Sequence, residues 1–357
     1  MGSPDPELAQ LFQRFVPVRV TDLRGFDLDT FEFDFDLTLA VLTAGPGGRV
    51  YHRFGGRDHR SADRYVTVPG LEAALRSTLA RFEAEVIDAG DMDRFPPVRR
   101  IEDFPSYGPW LEARGEEPTC IHCHQVGEHE IRTANLVGES FDLDRIWRWP
   151  APTRVGFDVD PDDQTRVVRV DEGSAAAAAG LRAGDRVASL GGVQAATFTD
   201  LQFALHRAVP GATRLPLTYE RVGETAETEL VLEEGWKRGD PLTFAWRPLK
   251  WGLPHGPGFG GRDIGPDRKA ELGLDPDAHA FAVDYFVTWG AFGHRGRAAE
   301  GPIRRGDVVY AVDGKDDFQS QDHFHAWFRL TREEGATARI GLVRGGEKRV
   351  VELVVQR

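Results

Sequence analysis

The sequence predicts a modular chain of mixed α/β character: an α/β N-terminal domain, a short cysteine-histidine segment and two successive α+β modules. Three observations carry this. At 357 residues the chain exceeds one ordinary hydrophobic core. Near the N-terminus two short apolar runs around a glycine turn precede a helical pattern. Beyond Trp149 the chain repeats itself.

The N-terminal pattern reads as a hairpin and a helix. Leu37–Ala44 reads as a buried strand and Arg49–Phe54 as a second one after the turn Gly45-Pro46-Gly47-Gly48, together a hairpin. From Pro69 to Glu85, Leu71, Ala74, Leu75, Thr78, Leu79 and Phe82 recur at helical spacing with charges opposite. Before them, Asp27, Asp29, Glu32, Asp34 and Asp36 alternate with Phe26, Leu28, Phe31, Phe33 and Phe35. That alternation lacks the glycine and terminal glutamate of a calcium loop and reads as a half-exposed strand or a turn. Residues 88–115, rich in Pro, Gly and charge, show no period and read as a long ordered or partly ordered linker.

In the C-terminal half, Ala179-Gly180-Leu181-Arg182-Ala183-Gly184-Asp185-Arg186-Val187 returns as Gly301-Pro302-Ile303-Arg304-Arg305-Gly306-Asp307-Val308-Val309, an offset of 122. Gly192 and Gly314 follow in register. A helix comes next in each copy, with Asp200–Leu205 set against Asp322–Trp327. Each copy then closes with two strands around glycine: Leu215–Tyr219 and Thr228–Leu232, then Ala338–Val343 and Arg349–Val355. The phrase resembles the bacterial HtrA-type PDZ domain, closely in the first copy and less so in the second, where Gly301-Pro302-Ile303 replaces Ala-Gly-Leu.

That resemblance implies a strand–helix groove that accepts an extended peptide as an added strand, with a loop of backbone amides for the peptide's carboxylate. Val155, Gly156 and Phe157 are the loop candidates in the first copy, and Gly258, Phe259 and Gly260 in the second. Asp158 is an unfavourable neighbour for a carboxylate. The alternative is that the modules only pack on each other. A serine protease is not expected, because no Gly-x-Ser-x-Gly is present.

The two cysteines, Cys120 and Cys123, stand immediately before His124. Cys-x-x-Cys-His is the attachment pattern of haem c, in which both thiols bond the macrocycle and the imidazole ligates iron. A zinc or copper site is the alternative, with Cys120, Cys123, His124 and His129 as ligands. A disulfide, or a dithiol attacking through Cys120 with His122 or His124 nearby, is the third. Met92, the one internal methionine, is a candidate sixth iron ligand, as is His129.

Asp34–Thr38, Val50–Arg57 and the helix from Pro69, together with Cys120–Val126, Trp147–Pro150 and Gly235–Asp240, resemble a bacterial family that joins a thioredoxin-like domain to C-terminal PDZ modules. Some of its members are selenoproteins. The resemblance implies a thioredoxin-like domain over 1–88, a linker and Cys-x-x-Cys-His segment over 89–148, and PDZ-like domains over 149–236 and 237–357. Glu7–Phe15 holds no cysteine where that family carries its redox pair, so thioredoxin catalysis is excluded and the domain is expected to be structural or docking.

A formal charge of −13 without a basic stripe argues against nucleic acid and anionic membrane as partners. No run is long and apolar enough for a membrane span. Met1–Pro6 lacks the pattern of a secretory leader. Haem attachment would nonetheless place the protein outside the cytoplasm, whereas a cytosolic protein would favour the metal or dithiol reading; the expected role is a periplasmic or secreted redox or metal-binding adaptor that docks a protein partner. The rival is a non-catalytic PDZ scaffold with a structural disulfide.

Overall fold

Helix α1, Pro6–Phe12, opens the described chain: the Asp5 side chain accepts from the Glu7 N–H, and proline in the first turn needs no donor. The computed structural model describes residues 5–85, 98–114, 120–139, 142–290 and 292–356. It divides into two units, residues 1–239 and 240–357. The expected parts 1–88, 89–148 and 149–236 therefore fall within one unit.

The hairpin forms from β1 (Val41–Ala44) and β2 (Val50–Phe54), antiparallel, with Val41 opposite Phe54. It starts later than Leu37 because Gly55, at φ 109°, turns the chain so closely that a Cβ would lie 2.1 Å from the Leu39 carbonyl oxygen. Helix α2, Val68–Ala84, begins where Thr67 accepts from the Gly70 N–H; its buried Thr78 donates to Thr43 of the hairpin, while Gly70 lies against the Gln164 amide. The hairpin-then-helix order is present. Among the described residues before Trp149 these two strands are the only sheet, so a fuller thioredoxin-like sheet is not assembled there.

The alternating Asp-Phe stretch folds as turns. Asp27 accepts from the Asp29 and Thr30 N–H groups and Asp34 from Asp36, which stabilises turns over a ladder. Phe33 and Phe35 enter a core with Leu23, Leu28, Ile101, Trp110, Ile121 and Val126. Within the expected linker, Ile101–Asp103 makes a 3-10 turn and Tyr107–Arg114 forms α3. Helix α4, Gln125–Leu136, follows the cysteines.

The rest of the first unit holds β3 (Phe157–Val159), β4 (Val167–Val170), α5 (Ala175–Ala178), β5 (Arg186–Leu190), β6 (Val193–Gln194), α6 (Phe198–Arg207), β7 (Thr213–Arg221) and β8 (Glu224–Leu232). β3 pairs with β4, and β6-β5-β7-β8 make a second antiparallel sheet around a core that includes Phe157, Leu190, Leu201, Leu205, Leu217 and Leu230. The second unit runs α7 (Pro241–Phe244), β9 (Phe259–Asp263), α8 (Pro266–Glu271), β10 (Phe281–Phe286), α9 (Gly293–Ala299), β11 (Val308–Val312), α10 (Gln321–Thr331), β12 (Thr337–Arg344) and β13 (Glu347–Val354). Its strands form one antiparallel sheet, β13-β12-β11-β10-β9.

The repeat is visible bond for bond. The Asp185 carboxylate accepts from the Arg182 N–H and from the Arg221 guanidinium, which also donates to Gly180 O at 2.8 Å. Asp307 accepts from the Arg304 N–H and the Arg344 guanidinium, which donates to Pro302 O at 2.8 Å. The helices correct the expected register by one residue. The N-cap hydroxyls belong to Thr197 and Ser320, so Asp200 matches His323 rather than Asp322. One extra residue between Gly314 and Ser320 accounts for the slip.

Candidate functional site

The candidate groove of the first unit has β3 as one wall and α6 as the other. Gly156 leads into β3 at φ 95°, and a Cβ there would lie 2.0 Å from Ser174 Cβ, so only glycine fits this turn. Its neighbours Val155 and Phe157 are core residues, both buried. Asp160 donates to Arg166 and Gly156 accepts from Asp171, both toward β4, so the period of two turns the backbone groups of Phe157 and Val159 to the other edge. There the Val159 N–H is already bonded to Asp158 Oδ1 at 3.0 Å.

The chain's own residues 52–67 lie along these walls. Tyr65, 1% exposed, stacks its ring on Phe198 at 3.6 Å between centroids and 5° between planes. Its hydroxyl donates to Asp158 Oδ1 at 3.0 Å, so one side chain spans from α6 to β3. Burial first, and then the Asp158 charge, push the Tyr65 phenol well above its ordinary pKa and keep it a donor. Gln164 donates to Tyr65 O at 2.8 Å and accepts from the Phe198 N–H, and Thr67 donates to Pro161 O at 3.0 Å.

A second set of bonds holds the start of the segment to α6. Asp200, buried, accepts from His52 Nδ1 at 2.8 Å and from the Arg53 N–H at 2.9 Å. The Thr197 hydroxyl donates to Arg53 O, and the Gly56 N–H donates to Thr199 Oγ1 at 2.7 Å. Gln202 donates to Arg57 O and Trp149 O, at 3.1 and 3.0 Å. The Arg53 guanidinium sits 3.5 Å from the Phe203 ring centroid, and burial brings its pKa down to about 10.

In the second unit Gly258 repeats the turn at φ 81°, where a Cβ would lie 2.4 Å from the Arg295 backbone. Phe259 enters the core, and a Cβ on Gly260 would meet the Tyr285 hydroxyl at 2.3 Å. Here the helix itself reaches the strand: the Gln321 amide accepts from the Gly261 N–H at 3.1 Å and donates to Gly261 O at 3.0 Å. Arg329 lies against Gly256 and donates to Leu253 O at 2.8 Å, while burial and the Arg295 charge bring its pKa down to about 9.

Residues 166–221 match the family model for the PDZ domain. That stretch is a PDZ domain. The match begins after β3, runs to the end of β7 and takes in α6, the helical wall of the groove. No curated protein matches the chain. A PDZ domain is a protein-interaction module, and in this one Tyr65 and residues 52–57 are seated against the PDZ helix.

The cysteine segment lies elsewhere in the first unit. Both thiols are free, Cys120 exposed and Cys123 half-buried, with burial raising the Cys123 pKa. Asp22 anchors the turn by accepting from the Ile121 N–H, and its bonds to Arg24 hold its carboxyl down to about 2. His124 directly precedes α4 without a side-chain capping bond, and its Nδ1 lies 3.1 Å from Glu128 Oε1. His129 faces the other way, buried among Phe104, Tyr107 and Trp110 with Nδ1 2.8 Å from Ser106 Oγ. The set Cys120, Cys123, His124 and His129 is therefore not brought together, and among the described residues no three His, Cys, Asp or Glu side chains converge on a metal position. Two free thiols and a following imidazole do fit the donor chemistry of haem c attachment. Met92 lies outside the described residues.

Sequence reading missed Tyr65, Gln164, Gln202 and the role of Asp200. The one local signal was Thr197-x-x-Asp200, a capping-box spacing that is present as such. His52 and Arg53, polar within a buried strand pattern, hinted at partners without naming them.

Proposed function

We propose that the protein is an adaptor that holds polypeptide segments in PDZ-type grooves, with residues 240–357 as a second PDZ-like module. The single observation that carries this reading is residues 52–67 laid along β3 and α6, held by side chains of the PDZ helix to backbone groups of the segment. The second module is supported by the matching Asp307–Arg344 clamp and by Gly258, the counterpart of Gly156. The hairpin and α2, the part resembling a thioredoxin-like domain, serve here as the frame that presents the segment. Panning a peptide display library against the full chain tests the adaptor reading. Enrichment of a shared motif, lost in a variant with the helical wall changed at Gln202→Arg, supports it; enrichment indifferent to that change sinks it.

A second reading concerns Cys120, Cys123 and His124, and is favoured by two free thiols, one of them exposed. Here they attach haem c, with His124 as the iron ligand, or bind zinc or copper, in a protein that works outside the cytoplasm. Haem would supply a redox-active iron, and the chain would supply the two thioether bonds and one imidazole. The test is the absorption spectrum and metal content of protein made with haem-maturation machinery. A Soret band that survives denaturation supports haem, stoichiometric zinc without that band supports the metal alternative, and neither leaves the plain adaptor.

A further inference from the structure

We propose that the first groove recognises an internal Arg-Tyr segment rather than a free C-terminus, and that residues 55–67 of this chain are its resident ligand. This rests on the reading of β3 and α6 as a polypeptide groove, and it names the chemistry that groove selects.

The selecting group is Asp158. It lies on β3, two residues beyond the turn at Gly156, and is 5% exposed. A ligand carboxylate brought to the start of β3 would set a second negative charge beside it in a place with little water, where like charges repel strongly. An Arg-Tyr pair brings what a buried carboxylate needs instead. Tyr65 supplies an O–H donor at 3.0 Å, and Arg64 supplies a guanidinium nitrogen 3.4 Å from Oδ2, with Arg60 at 3.8 Å. The polarity of the end of the groove is thus opposite to that of a carboxylate receptor.

Three further features describe the ligand. Its aromatic ring must lie flat on Phe198, which selects a planar side chain. Its backbone is read at Tyr65 O by the Gln164 amide, which also holds the Phe198 N–H and so ties the ligand to the start of α6. The Val159 N–H is taken by Asp158, so the ligand is held there by side chains and not by a continued ladder. None of these contacts requires the ligand chain to end. A partner with the same chemistry would enter only by displacing residues 55–67.

The test uses the full chain as wild type, Tyr65→Ala and Arg64→Gln, with two labelled probes read by fluorescence anisotropy. One is the peptide of residues 55–67, acetylated and amidated. The other is a peptide of equal length ending in valine with a free carboxylate. Tyr65→Ala is expected to bind the amidated peptide at least tenfold more tightly than wild type, because the resident segment has lost its anchor. Arg64→Gln, at a partly exposed position that leaves the core untouched, is expected to raise the affinity severalfold even if Tyr65→Ala folds poorly. The free-carboxylate peptide is expected to bind none of them. Preference of either variant for the free-carboxylate peptide would overturn the proposal while leaving the groove reading in place. Equal binding of the amidated peptide by wild type and both variants would also overturn it. Failure of both probes on every variant would remove the groove reading itself.

Discussion

The two copies of the repeat satisfy the same helix in different ways. In the first, the second helix of the module turns Thr199, Asp200 and Gln202 to an upstream segment, and each finds a backbone partner on it. In the second, the matching positions are Asp322, His323 and His325. Neither ring nitrogen of the buried His325 has a hydrogen-bond partner among the described residues, and His323 Nε2 has none either. A shared backbone plan, fixed by the Asp185 and Asp307 clamps, thus carries one helix locked by polar bonds and one packed mainly by rings, such as Trp251 against His325 at 4.9 Å. The architecture is thus set by the glycine-aspartate phrase, while the polar face of the helix is free to specialise.

The largest effect should come from removing Asp200. Its replacement by alanine leaves His52 Nδ1 and the Arg53, Ala196 and Thr197 N–H groups without their acceptor in a buried site. A loss of about 3–5 kcal/mol is expected, read by native-state hydrogen exchange in β5 and β7, with β11 and β12 unmoved. Equal losses in both units would deny that the lock is local. Next come Asp185→Asn and Asp307→Asn, each expected to cost roughly 1–3 kcal/mol in its own unit. Because the two clamps are alike bond for bond, the two values should agree, and a marked inequality would break the equivalence of the copies.

A sharper contrast is expected at matched helix positions. Gln202→Leu leaves Arg57 O and Trp149 O without their donor and should cost about 1–3 kcal/mol. His325→Leu removes an unpartnered imidazole and should be neutral or stabilising by up to about 1 kcal/mol. Denaturant midpoints with unchanged slopes would read both. The smallest effect is that of mild acid. Burial lowers the pKa of His255, His279, His323 and His325 in the second unit and of His206 in the first. Where the folded pKa lies below the ordinary value of about 6.5, the unfolded chain binds more protons, so stability falls as pH drops beneath that value. Hydrogen exchange at pH 7.5 and 5.5, corrected for intrinsic rates, should show the second unit losing protection at the lower pH. Unchanged protection there would contradict the assignment.

Much of the fold was legible because its determinants are local. Gly184 and Gly306 adopt positive φ beside aspartates that accept from backbone three residues away, and such geometry writes itself into a short phrase. The closing hairpins were legible from alternation. The helix register was misread by one residue because Ala204 and Ala326 coincide at the wrong offset, and only the caps at Thr197 and Ser320 reveal the added residue. The locking segment was not legible at all. Tyr65 meets Asp158 across 93 positions of chain and His52 meets Asp200 across 148, and no local pattern encodes such distances. Likewise His129 looked like a ligand by spacing, but its place on the inner face of α4 turns it into the aromatic core.

The central claim is that the first groove is occupied by the chain itself through Tyr65. Amide hydrogen exchange of the full chain, wild type against Tyr65→Ala, tests it most directly at Gly56, Val159 and Phe198. Protection at these amides is expected to fall at least tenfold in the variant while β12 keeps its own. Unchanged protection at all three in a folded variant would contradict it.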